Sequence, residues 1–395
     1  MKGGTHFVSL GNVVELVMGQ APPSKDCNFE EIGTPFVKVG EFGVDRPVIR
    51  EWTTNPLRLA RRSDVLLCVV GATCGKINLG EDCAIGRSVA AIRPDDKKLN
   101  QLYLHYFMMT LVGRLRSGSV GAAQTVISKD MISSVEMPLP ELLEQQRIVT
   151  LLDEAFDGIA TAKTNAQKNL QNARELFASH LHAVFSLDAE GRYVKSIGDV
   201  CNLLNGFAFK SGDAVTESQT QLVRMGNLYG NALNLNRSPI FYPDSFAVEY
   251  ERYLLKEGDL IMSLTGTTGK EDYGYAVRVS DPGHQLLMNQ RIAKFDLINM
   301  DVVTADYLFY YLRSRVFLDI LYPTANGTRQ ANLSSVTIKT LPIPLCPIPE
   351  QKRKVRALDE VENESQRLEA IYQQKLIALD ELKKSLLHRA FNGDL

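Results

Sequence analysis

The stretch "LPELLEQQRIV" at residues 139–149 and the stretch "CPIPEQKRKV" at 346–355 decide the architecture. Each carries proline, then Glu-Gln, then a basic and apolar run. Glu144-Gln145 and Glu350-Gln351 stand 206 residues apart in a chain of 395. Proline blocks a helix from extending upstream and suits an extended lead into one. Both signals therefore mark the start of a helix, and their spacing marks a duplication.

The helices that follow are long. Residues 141–185 and 350–391 contain no proline, and the only glycine inside the two runs is Gly158. Apolar residues recur at alternating spacings of four and three. In the first run the stripe passes through Leu152, Phe156, Ile159, Lys163, Ala166, Leu170, Ala173, Phe177, His180 and Val184. In the second it passes through Leu358, Val361, Ser365, Leu368, Tyr372, Leu376, Leu379, Leu382, Leu386 and Ala390. This is the stripe of a helix that packs on another helix. Two matched helices of this length predict mutual antiparallel packing, with each acting as a spacer.

The segments ahead of the helices are also copies. "SLGNVVELVMGQAPPS" (9–24) matches "SIGDVCNLLNGFAFKS" (196–211), and "PFVKVGEF" (35–42) matches "QLVRMGNL" (221–228). "SDVLLCVVGATCGK" (63–76) answers "GDLIMSLTGTTGK" (258–270), "GRSVAAI" (86–92) falls beside "NQRIAKF" (289–295), and "YLHYF" (103–107) beside "YLFYY" (307–311). "GAAQTVIS" (121–128) matches "GTRQANLS" (327–334) just ahead of the opening pair. The offset runs from 186 to 206, as expected of insertions spread over surface loops. Short Val, Ile, Leu and aromatic runs broken by Gly, Pro, Asn and Asp predict an α+β globule in each copy.

Composition narrows the function. The chain is 45% apolar and 23% charged, with a formal net charge of −2. Residues 1–140 carry 16 basic against 14 acidic side chains, and residues 187–349 carry 15 against 17. Any polyanion-binding face is then a local patch or is shared with a partner. The six cysteines (27, 68, 74, 83, 201 and 346) show no C-x-x-C spacing, so free thiols are expected rather than zinc. No apolar run has the length of a membrane span, and the start "MKGGTHFVSLGN" has no apolar leader region, so a cytoplasmic protein without membrane partners is expected.

Catalytic constellations fail one by one. "GATCGKI" (71–77) has three residues between its glycines and Ile77 after the lysine, where a phosphate loop needs four and Ser or Thr. It reads instead as a glycine turn after a strand with an exposed lysine, or as a DNA-contacting loop. No dinucleotide fingerprint follows a strand. "PDDKK" (94–98) reads as a charged turn, and the six histidines form no H-x-x-x-H pair. No metal, cofactor or covalent catalysis is expected of this chain.

Two globules, each followed by a proline-rich exit, Glu-Gln and a long helix, resemble the specificity subunit of type I restriction–modification enzymes. The resemblance covers essentially the whole chain. It rests on "MPLPELLEQQRIVTLLDE" (137–154), "IPLCPIPEQKRKVRALDE" (343–360) and the ending "LKKSLLHRAFNGDL" (382–395), with Asp-Glu recurring at 153–154 and 359–360. It implies an α+β chain with two homologous target-recognition globules joined by two long antiparallel coiled-coil helices about a pseudo-two-fold axis. The expected boundaries are 1–140 and 187–349 for the recognition domains, and 141–186 and 350–395 for the spacer helices.

The resemblance also implies a non-catalytic subunit. Each globule would read one half of a split, asymmetric target in double-stranded DNA. Two methyltransferase subunits would dock on the helices, and restriction/translocase subunits would join. S-adenosylmethionine and ATP would bind those partners only. Base reading calls for Arg, Lys, Asn or Gln near glycine and hydroxyl loops. The candidates are Lys38, Thr73, Lys76, Arg87 and Gln124 in copy one, and Arg224, Thr268, Lys270, Arg291, Arg329 and Gln330 in copy two. Copy one departs from the family's frequent Asn-Gln at Gly86-Arg87, whereas copy two keeps Asn289-Gln290. Arg329 faces Ala123 in the alignment of the copies, which favours a role in specificity. Gln145, Arg147, Gln351 and Arg353 are candidates for partner docking, with bracing of the helix starts as the alternative for the two glutamines. The rival functions are a duplicated protein scaffold on a coiled coil, which would lack salt-sensitive DNA binding, and an enzyme, which would need a cluster of titratable groups.

Overall fold

The computed structural model describes residues 6–117, 126–186, 193–280 and 283–394. The chain divides into two compact units, one of residues 1–167 and 373–395, the other of residues 168–372. Two helices, Leu142–Phe185 and Ile348–Asn392, each contribute one part to each unit.

In the first unit, Val14–Met18, Val89–Pro94, Val65–Cys68 and Ile77–Leu79 form an antiparallel sheet in that order. Its central strands are buried on both faces. Val65, Leu67, Ala90 and Ile92 point into one core, with the helix Gln101–Ser117. Leu66, Cys68, Val89 and Ala91 point into another, with Val37 and Ile85 of a second, mixed sheet and with Phe42. Strand side chains alternate between faces, so unbroken apolar runs are what a strand covered on both sides requires. In the mixed sheet, Thr34–Val37 runs parallel to Cys83–Ile85.

The second unit repeats the antiparallel sheet and the core of the mixed sheet, which has five strands in the first unit and four in the second. Cys201–Asn205, Ile292–Leu297, Leu260–Ser263 and Ala276–Arg278 form the antiparallel sheet. Thr220–Val223 runs parallel to Gln285–Met288 in the mixed sheet. Leu260, Met262, Ala293 and Phe295 serve the helix-side core, while Ile261 and Ile292 serve the other. Gly19 and Gly206 hold equivalent places. A Cβ on Gly19 would lie 2.2 Å from the Gly86 carbonyl oxygen, and one on Gly206 would lie 2.2 Å from that of Asn289. The duplicated glycine is thus a close-approach requirement of backbone on backbone.

The proline exits complete each unit. Glu136–Pro138 pairs with Phe7–Ser9, and Pro342–Leu345 pairs with Tyr193–Ser196. Tyr103 donates its hydroxyl to the Pro138 carbonyl at 2.9 Å, and Tyr307 donates to the Pro344 carbonyl at 2.9 Å. The Glu-Gln signal then becomes a brace. Gln145, fully buried, donates to the Lys98 and Pro140 carbonyls and accepts from the Asn100 N–H, each at 2.8 Å. Gln351, also fully buried, donates to the Val302 and Cys346 carbonyls at 2.7 and 2.8 Å and accepts from the Thr304 N–H at 3.0 Å. One side chain closes three backbone groups at a loop, which burial would otherwise leave unsatisfied.

The long helices pack antiparallel within each unit. In the first, Lys163 meets Asp380 at 2.7 Å and the Lys383 ammonium sits 4.6 Å from the Phe156 ring centre. In the second, Arg174 meets Glu369 at 2.9 Å. The helix ends enter the unit cores. Phe391 packs on Tyr103 and Phe107 at 5.0 and 5.3 Å, beside Ile148, Val149 and Leu152. Phe185 packs on Tyr307 and Tyr311 at 4.9 and 5.4 Å, beside Val355 and Leu358. Here the expected stripe is corrected. Leu181 and Phe185 are buried while His180 is exposed; in the second helix Leu387 and Phe391 are buried beside the expected Ala390, while Leu382 is 46% exposed. A straight helix turns every 3.6 residues and drifts against a strict seven-residue repeat, so the buried face moves by one position toward the ends.

Phe391→Ala is expected to destabilise the first unit by about 3–5 kcal/mol, the range for a buried phenylalanine cut to alanine. Urea denaturation of the full chain checks it, with Leu382→Ala as the exposed comparison, expected to cost well under half as much.

Candidate nucleic-acid interface

Each unit presents loops at equivalent positions of its two sheets. In the first unit, "GATCGK" links Val65–Cys68 to Ile77–Leu79. Gly71 and Gly75 take positive φ of 97° and 90°, which the tight excursion needs. Thr73 is exposed and Lys76 donates its ammonium to the Phe42 carbonyl at 2.8 Å. Both line a cleft of about 450 Å³ with His105, Arg116 and apolar Val44, Met109 and Val112. In the second unit the equivalent loop carries Thr268 and Lys270, exposed, beside a cleft of about 300 Å³. Thr268 donates to the Gly327 carbonyl at 3.2 Å. The strand Gln330–Asn332 pairs with Thr265–Thr267, setting Gln330 opposite Thr267 and placing exposed Arg329 next to this loop. In the first unit the corresponding pairing is a single bridge, Val70 with Val126. Gln124 lies outside the described residues.

The second pair of loops follows the mixed sheet. Lys38 follows Thr34–Val37; its ammonium pairs with Glu51 and lies 5.3 Å from the Phe36 ring centre. Arg87 is exposed, with no protein partner among the described residues. In the second unit, Arg224 and Arg291 line one cleft of about 460 Å³ together with Arg237, Asn289 and Gln290. Arg224 donates Nη2 to the Ser238 carbonyl at 2.7 Å. Arg237 stacks on Tyr229 at 4.9 Å. Arg237 was not among the sequence candidates. It lies in an insertion of the second copy, so alignment of the copies gives it no counterpart.

The aligned pairs therefore diverge in use. Lys76 is tied to a backbone carbonyl while Lys270 shows no side-chain partner among the described residues, and Lys38 is ion-paired while Arg224 has no carboxylate partner there. Of the residues considered for partner docking, Gln145 and Gln351 take the bracing alternative: they are buried, and their polar atoms are occupied by the braces described above. Arg353 is exposed, and Arg147 makes a two-pronged ion pair with Glu144 at 2.8 and 2.7 Å. Leu143, 84% exposed, stands beside it on the first helical turn.

Tyr106 donates its hydroxyl to Asp153, and Tyr310 donates to Asp359 at 2.6 Å, so the duplicated Asp-Glu ties each helix to its globule. Burial and these carboxylates push both phenols well above their ordinary range. The six cysteines are free thiols. Among the described residues no group of three or more His, Cys, Asp or Glu gathers as metal ligands, and no helix is long and apolar enough to cross a membrane.

This architecture and these sites define a duplicated, helix-linked α+β protein with basic loops on each globule. The family model described as the type I restriction modification DNA specificity domain matches residues 3–171 and 190–376. The chain belongs to that family, and it is a non-catalytic specificity subunit in kind. It is similar to the type I restriction enzyme MjaVIII specificity subunit of Methanocaldococcus jannaschii, 23% identical over 87% of this chain and 81% of that protein. The type I restriction enzyme EcoBI specificity subunit of Escherichia coli is 18% identical over 98% of this chain and 85% of its own length. Among solved structures, the HsdS subunit from Thermoanaerobacter tengcongensis matches with a TM-score of 0.64 at 18% identity, covering 100% of this chain and 98% of that one. A chain from a study of complex assembly and conformational transition in the type I R-M system matches with a TM-score of 0.80 at 17% identity, covering 99% and 98%. At these identities the structural likeness establishes the fold.

His105 generates a pH prediction. Burial pushes its pKa down from 6.5 to about 4; Lys383 and Arg46 add to this, and Asp45 and Asp153 oppose it. The imidazole is neutral in the fold, so its protonation favours the unfolded chain. Stability is whole above pH 6.5 and is lost progressively as pH falls toward about 4. Urea midpoints across that window are expected to fall less steeply for His105→Gln than for the natural chain.

Proposed function

We propose that this chain is the sequence-reading subunit of a type I restriction–modification complex, in which each globule reads one half of a split, asymmetric DNA target. The observation that carries this is the duplication itself. Two units share one strand scheme and one brace, yet their exposed loops differ in charge and partners. Shared residues hold a fold, and differing ones on the same scaffold are what two distinct half-targets require.

The helices set the unread gap between the half-targets. With 44 and 45 residues they extend about 66 Å at 1.5 Å per residue. Two readers on one face of a duplex must lie about one helical turn apart, roughly 34 Å, or a multiple of it. Two methyltransferase subunits dock along the helix surfaces, with Arg147, Arg353 and the exposed Leu143 as contact residues, and restriction/translocase subunits join them. S-adenosylmethionine and ATP belong to those partners, and the complex works in the cytoplasm. Partner subunits supply much of the phosphate contact, in keeping with a chain of net charge −2.

Affinity purification of the tagged chain from its native cells tests this. An adenine methyltransferase recovered at about two copies per chain supports the reading. Recovery of the chain alone, or with unrelated proteins and no salt-sensitive DNA binding, points to a protein scaffold instead. Within the reading, Arg329→Ala is expected to relax base preference in one half-target by about 1–3 kcal/mol at one position, leaving the other half intact. Competition binding of the complex against single-base variants of its target measures this.

A further inference from the structure

The cleft of about 460 Å³ in the second unit has no acidic residue in its lining, and three arginines converge on it. It is built rather than incidental. Asn227, 1% exposed, accepts the Arg224 N–H at 2.8 Å and donates to the Asn234 and Arg237 carbonyls at 2.8 and 3.1 Å. Arg224 donates to the next carbonyl, Ser238, at 2.7 Å. These bonds pin the segment that carries Arg237, and Tyr229 stacks under its guanidinium. None of Arg224, Arg237 and Arg291 forms an ion pair among the described residues.

The first unit has the same scaffold and a different charge. Lys38 stands at the place of Arg224, Glu41 at that of Asn227, Gly86 at that of Asn289 and Ser88 at that of Arg291. Glu41 accepts the Lys38 N–H at 2.8 Å, as Asn227 does for Arg224, but as a carboxylate it cannot donate to a second segment. Glu51 pairs with the Lys38 ammonium. In the first unit Lys38 is thus paired with Glu51 and Arg87 stands exposed, where the second unit gathers three arginines in a cleft whose lining has no carboxylate.

We propose that the Arg224–Arg237–Arg291 cleft is a seat for a DNA backbone phosphodiester, present in the second unit and neutralised in the first, so that binding draws its counterion release unequally from the two halves. Guanidiniums are suited to this by their fork of donors. The recessed position favours backbone phosphate over a base edge, which lies within a groove and calls for a projecting side chain. Asn289 and Gln290 add neutral donors at the rim. The inference rests on reading the chain as a DNA specificity subunit.

The test is the salt dependence of binding by the full chain, with its methyltransferase partners, to a fluorescein-labelled random-sequence DNA duplex between about 50 and 200 mM KCl. Arg224→Gln, Arg237→Gln and Arg291→Gln combined are expected to lower the slope of log K against log salt by about 0.9, the share of one phosphate, and each alone by a part of that. Arg237→Lys, which retains the charge, is expected to restore most of that slope. Lys38→Gln in the first unit is expected to lower it by less than half as much. Natural complex that binds while the three arginine variants keep its slope, or a Lys38→Gln effect equal to theirs, overturns the phosphate seat and leaves the specificity reading standing. Natural complex with no salt-dependent DNA binding overturns both.

Discussion

Each unit depends on a helix end that arrives from far along the chain. Phe391 completes the aromatic cluster of Tyr103 and Phe107, and Phe185 completes that of Tyr307 and Tyr311. Aromatic side chains of this size dominate the energetics of a core. The core of the first unit is therefore completed by Leu387, Ala390 and Phe391, residues far along the chain from its own sheets. The two glutamine braces act at the other end of each connection. They fasten the start of each long helix to the loop ahead of the short helix in its own unit.

This arrangement separates what must stay the same from what is free to change. The sheets, the braces and the aromatic plugs recur in both units with nearly the same bond lengths. The loops beyond the strand ends do not recur in chemistry. Lys38 with Glu51 and Arg224 with Ser238 occupy one scaffold position and present different charge. A protein that must read two unlike half-targets needs this division, since fold and specificity then vary independently.

Much of the fold was legible in the residues. Proline exits, Glu-Gln and the apolar stripe located both long helices, and the paired motifs located equivalent strands and loops. The ends of the stripe were misread by one position, because a seven-residue pattern does not follow a helix that turns every 3.6 residues. The site was less legible. Gln145 and Gln351 look like surface residues of a helix, and nothing in the local sequence shows that a loop some 45 residues upstream folds over them. Arg237 gives no signal in the sequence, because its insertion has no counterpart in the other copy. Charge at Lys38 could not be separated from its neutralisation by Glu51, thirteen residues away, until both were in space.

The proposed reading of two separate pieces of DNA by one chain is tested by sequencing that detects methylated adenine, on DNA from cells carrying this chain and its methyltransferase partner. A modified motif in two unlike parts, separated by an unread gap of constant length, is expected to disappear when this chain is deleted. A motif of one continuous block, or methylation unchanged by the deletion, would contradict it.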